Sequence, residues 1–137
     1  MKILILWVCV FLNVSLAGQS RLGYTLDSIQ CEFPASKQRV FLEKSFTEKD
    51  TLATYYVHFE DGIVAYFFNH NVCILTIIVI TSEDVTRDLI NKYDKLYTRI
   101  SKDIWRADFK EDINYIQLTY DDKTNSYTFL WTFLELK

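Results

Sequence analysis

Between Thr54 and Ile80 the chain takes up a two-residue period and keeps it through three runs: TYYVHFE (Thr54–Glu60), IVAYFFN (Ile63–Asn69) and VCILTIIVI (Val72–Ile80). The runs are rich in β-branched and aromatic residues, and polar turn residues separate them, Glu60-Asp61-Gly62 first and His70-Asn71 second. This pattern predicts three antiparallel strands joined by tight hairpins. His and Asn are among the few non-glycine residues that tolerate the positive φ of a two-residue turn. The third run is apolar on both faces, which marks a central strand. Its nine residues fall well short of the roughly 20 that a membrane-spanning helix needs.

Register assigns faces. A three-residue turn pairing Phe59 with Ile63, and a two-residue turn pairing Asn69 with Val72, place Tyr55, Val57, Phe67, Ile74, Thr76 and Ile78 on one face. The other face then carries Tyr56, His58, Tyr66, Phe68, Cys73, Leu75 and Ile77.

Two helices flank these strands. Thr25 is placed to cap a short helix in which Leu26, Ile29 and Phe33 share a face, and Pro34 ends it. Thr81 or Ser82 caps a second helix, with Glu83 and Asp84 in its first turn and Val85, Leu89, Tyr93 and Leu96 at helical spacing. Between the first helix and Thr54 the signal is weaker, with VFL (Val40–Leu42) as a brief strand. After the second helix, IWRADF (Ile104–Phe109), INYIQLTY (Ile113–Tyr120) and SYTFLWTFLEL (Ser126–Leu136) read as three more strands. Trp105, Tyr115, Phe129, Trp131 and Phe133 are expected on one face of these, and Ile116, Leu118, Leu130 and Leu134 on the other. The order helix, strand, strand, strand thus occurs twice. The expected fold is α+β: an antiparallel sheet of six or more strands with two helices on one face, a duplicated helix-β-β-β unit.

The amino terminus reads differently from the rest. Lys2, the apolar run Ile3–Leu12, and small residues at Ser15 and Ala17 have the layout of a secretory signal peptide over residues 1–17, cut between Ala17 and Gly18. Asn13 and Ser15 break the run before it reaches membrane-spanning length. A single domain over 18–137 is expected, beginning at Gly18 or Gln19, exported to the periplasm or secreted, with no transmembrane anchor after cleavage. Loss of Lys2 leaves 14 basic against 18 acidic residues. Their mixed runs, such as EKSFTEKD (Glu43–Asp50), form no basic patch, so nucleic acid is not an expected partner.

Candidate chemistry is sparse. His58 and His70, with Cys31 and Cys73, have no close ligand spacing, so no metal or other cofactor is expected. A Cys31–Cys73 bridge suits an exported chain, yet the helix phase turns Cys31 away from the Leu26, Ile29, Phe33 face, and two free thiols are the simpler expectation. No glycine-rich phosphate loop or nucleophile elbow occurs, and His58 lacks a good nucleophile beside it, so no catalytic residues are assigned. The acids fall mostly in turns or in the first turn of the second helix. The surplus is aromatic: Tyr56, His58, Tyr66, Phe68 and Leu75 form the candidate interface, on a face left uncovered if both helices pack on the other; the alternative is that residues 35–50, or a second copy of the chain, fold over it.

SRLGYTLDSIQCEF after the signal segment, the FEDG turn and FFNHNVCILTIIVI resemble a group of small exported proteins of Gram-negative bacteria without assigned activity. Gly23-Tyr24-Thr25 followed by Ile29 and Pro34 is similar to the opening of the outer-membrane assembly lipoproteins of the SmpA/OmlA type, whose fold is shared by the β-lactamase inhibitor proteins. This chain has no lipid-anchor cysteine and carries Phe33 where that pattern has glycine. The resemblance implies a non-catalytic, protein-binding role in the envelope; with the aromatic face, the expected partner is another envelope or secreted protein, or a second copy of the chain. The alternative is a small-molecule binder or minor hydrolase with a pocket between the sheet and residues 35–50.

Overall fold

The computed structural model describes residues 18–37, 39–46 and 49–135. The expected signal segment, residues 1–17, lies outside them, as does Leu136 at the end of the last expected strand. In chain order the elements are α1 (Leu26–Glu32), β1 (Arg39–Phe46), β2 (Thr51–Phe59), β3 (Gly62–Asn69), β4 (Val72–Ile80), α2 (Glu83–Leu96), β5 (Thr98–Ser101), β6 (Ile104–Asp108), β7 (Ile113–Asp121) and β8 (Ser126–Thr132). The strands form one antiparallel sheet in the order β1-β2-β3-β4-β8-β7-β6-β5. Two four-strand meanders, each introduced by a helix, therefore meet at a central seam between β4 and β8. The expected α+β architecture is present, and each half holds four strands rather than three.

The added strands have separate causes. VFL is the middle of β1, which runs on through Lys44 to Phe46 paired to β2. β5 is only four residues, TRIS, all exposed, so its sequence carries no apolar alternation to reveal it.

Both helices begin as their caps dictate. The Thr25 side chain accepts the Ser28 N–H and that of Ser82 accepts the Val85 N–H, satisfying donors that a helix start leaves free. α1 buries Leu26, Ile29 and the adjoining Phe33; α2 buries Thr86, Leu89 and Tyr93. Leu26, Ile29, Phe33, Leu89 and Tyr93 join Tyr55, Val57, Tyr66, Ile78, Phe129 and Trp131 in one cluster, so both helices pack on the same sheet face. Leu96, expected on the buried face, is 59% exposed. Tyr97, one turn beyond Tyr93, takes the inner place and packs edge-on against Trp131 at 5.7 Å.

Two register details correct the expected faces. Phe59 pairs with Gly62, so the first hairpin turn holds two residues, Glu60 and Asp61, and Tyr55 lies opposite Tyr66. A one-residue change moves a whole strand's side chains to the other face. The second detail is a bulge in β4: Phe67 pairs with Leu75 but Phe68 with Cys73, leaving Ile74 as the extra residue. Tyr66, Phe68 and Cys73 therefore share the helix-covered face with Thr76, Ile78 and Ile80, all buried. The second hairpin turn is as expected, with Asn69 paired to Val72 and positive φ at His70 and Asn71.

The carboxy-terminal strands are also corrected. Trp105 pairs with Ile116, Ile116 with Trp131 and Leu118 with Phe129, which puts all five beneath the helices. Tyr115, opposite Thr132, faces the other way with Leu130.

Candidate functional site: the open face of the sheet

No helix covers the second face among the described residues. Its rows follow from the pairings. One crosses the sheet as Phe41, Tyr56, Ala65, Ile77, Leu130 and Gln117. The next runs from Glu43 and Thr54 through Phe67, Leu75 and Thr132 to Tyr115.

Burial on this face is graded. Ala65, Tyr115 and Thr132 are buried by their neighbours, while Tyr56, Phe67, Leu75, Ile77 and Leu130 are half-buried and Phe41 is 58% exposed. The Phe41 and Tyr56 rings meet across the β1–β2 pair at 5.9 Å. Apart from Thr54 the two rows are apolar and aromatic over β2, β3 and β4, with Glu43 at the β1 edge and Arg106, opposite Tyr115, toward the other. A depression of about 380 Å³ opens on this face, lined by Glu43, Thr54, Phe67, Leu75 and their neighbours.

The five sequence-derived interface residues separate into two groups. Tyr56, His58 and Leu75 lie on the open face. Tyr66 and Phe68 lie on the helix-covered face, 0% and 1% exposed, where Phe33 stacks on Tyr66 at 6.1 Å. Both belong to the core, and the slip in the first hairpin is the reason. Phe41, Phe67, Ile77 and Leu130 take their places on the open face. Ile77 was already expected on this face and the first hairpin's turn length alone would have added Phe67, whereas Phe41 and Leu130 join it through the β1–β2 and β4–β8 pairings, which no local pattern reveals.

His58 Nδ1 lies 3.5 Å from the Arg39 guanidinium, across the β1–β2 pair. His70, in its hairpin turn, lies 3.8 Å from the Asp50 carboxylate. The thiols of Cys31 and Cys73 are both free, the first exposed and the second buried. Burial raises the pKa of the Cys73 thiol, which packs against the Thr76 hydroxyl at 3.7 Å. Among the described residues no group of three or more His, Cys, Asp or Glu side chains is arranged to hold a metal ion. Several acids occupy structural positions: Asp121 accepts the Lys123 N–H in the last hairpin turn, and Glu83 and Asp84 open α2.

Comparison with known proteins returns no relatives. No protein-family model, curated protein or solved structure matches the chain.

Residues 39–46 bear on the pocket-based alternative. They extend the sheet as its edge strand and do not fold over either face. No described helix is long and apolar enough to cross a membrane.

Proposed function

We propose that this chain is an exported, non-catalytic domain that binds another protein through the open face of its sheet. The observation that carries the reading is the half-exposed apolar and aromatic surface around Tyr56, Phe67, Leu75 and Ile77, over which no described residue lays a second layer. Side chains of this kind give large contact area at low entropic cost, and Tyr adds a polar tip. Export is supported by the signal-peptide layout of residues 1–17. The occupant favoured is a protein, because the half-exposed rows extend across β2, β3, β4 and β8, a broader surface than a small ligand covers.

The test is light scattering on size-separated protein beginning at Gly18, alone and mixed with fractionated envelope proteins, beside a Tyr56→Ser variant. A specific complex that the variant loses while keeping its melting temperature is the expected result. A self-association that Tyr56→Ser abolishes would assign the face to a second copy. Complexes indifferent to substitutions at Tyr56, Phe67 and Ile77 would place the binding surface elsewhere.

A further inference from the structure

The segment that follows the expected cut is fastened to both halves of the molecule. The Tyr93 hydroxyl, fully buried under α2, donates to the Gly18 carbonyl at 2.7 Å and accepts from Trp131 Nε1 at 3.1 Å. Asn114 Nδ2, on β7, donates to Ser20 Oγ at 2.5 Å. These bonds tie the segment to the second half.

The first half holds it next. The Arg21 guanidinium, 5% exposed, pairs with Glu32 of α1 at 2.6 Å, and Leu22 enters the core. The Gly23 N–H donates to the Cys73 carbonyl and the Cys73 N–H to the Tyr24 carbonyl, both at 2.8 Å, and Thr25 forms an isolated bridge to Val72. There the segment borders β4 before the β8 pairing begins at Leu75.

Proteolytic cleavage takes place on accessible chain, and in a folded protein its rate follows the population of the opened form. The residues on the carboxyl side of Ala17 are, in the folded state, engaged from Gly18 onward. Given the export reading on which this rests, we infer that the Ala17–Gly18 bond is the processing site, that it is cut before residues 18–25 settle, and that the Gly18 carbonyl then pins the new amino terminus to Tyr93. A chain beginning at Gln19 would lack the carbonyl that Tyr93 uses.

The first experiment expresses the full chain in an exporting bacterial host and measures its intact mass and compartment. An exported chain starting at Gly18 is expected. An exported chain starting at Gln19 or later overturns this inference and leaves the export reading standing, whereas a chain that keeps its leader inside the cell overturns both. The second compares melting temperatures of chains starting at Gly18 and at Ser20, each with Tyr93 and with Tyr93→Phe. Removing residues 18 and 19 should lower the melting temperature by several degrees, and Tyr93→Phe should cost far less in the shortened chain. Equal melting temperatures for the two unsubstituted chains overturn the pin without recourse to a core variant. The third exposes leader-bearing chain, folded or urea-unfolded and freshly diluted, to purified signal peptidase. Cleavage at least about tenfold slower in the folded sample is expected, and equal rates overturn the order of events.

Discussion

Tyr66 and Tyr93 are both fully buried, yet removing the hydroxyl should have opposite effects. Tyr93→Phe leaves the Gly18 carbonyl and the Trp131 N–H without their shared partner, and the loss is expected at about 1–3 kcal/mol in urea denaturation. Among the described residues the Tyr66 hydroxyl has no hydrogen-bond partner. Tyr66→Phe should therefore leave stability unchanged or raise it, by up to about 1 kcal/mol, because it removes a desolvated and unpaired polar group. A clear loss at Tyr66 would show that the hydroxyl contributes through a contact other than a direct bond. Burial also raises the pKa of both hydroxyls, and of Tyr55 and Tyr97, above the ordinary 10.0. Once the pH passes that ordinary value, the unfolded chain releases protons that the folded chain retains, so stability is full below about pH 10 and falls as pH rises further. Cys73 acts in the same direction from 9.0. Melting temperature measured against pH should be level to about pH 9 and then decline, and the decline should be shallower in Tyr93→Phe.

At the level of elements, the glycine at position 62 had two possible readings. In FEDG it signals a turn, and a three-residue turn follows if Gly62 belongs to it. In the structure it is the first residue of β3, and glycine is needed because a Cβ there would fall on the Val79 carbonyl of β4. Gly62→Ala should cost about 1–3 kcal/mol through overpacking against that backbone, checked by thermal unfolding of the purified variant. A neutral result would mean that β3 and β4 separate easily at that end. Strand existence was legible from Thr54 to Ile80 because alternation and β-branched residues make it so, and both helix starts were legible from their capping hydroxyls. Register was not, since it depends on the length of one turn and on a bulge at Ile74, neither of which leaves a local pattern. For the same reason the aromatic residues of the candidate site were recognised as a class, while Tyr66 and Phe68 were assigned to the wrong side.

Across the whole molecule the two sheet faces should respond differently to truncation. Ile78, buried on the helix-covered side and paired with Phe129 across the seam, should cost about 2–5 kcal/mol as Ala. Tyr56→Ser on the open side should cost less than about 1.5 kcal/mol, its effect falling on association instead. Because one core cluster runs from Tyr55 in β2 to Trp105 in β6, Ile78→Ala should lower a single transition seen alike by circular dichroism and tryptophan fluorescence. Two separated transitions would mean that the halves unfold independently. Six residue pairs join β4 to β8, and only Thr81 and Ser82 lie between the end of β4 and the start of α2. A half-length chain with one helix and one meander would present that seam to solvent and find a complement only at sufficient concentration. Tethered by so short a link, the two halves meet at high effective concentration and pair at any dilution.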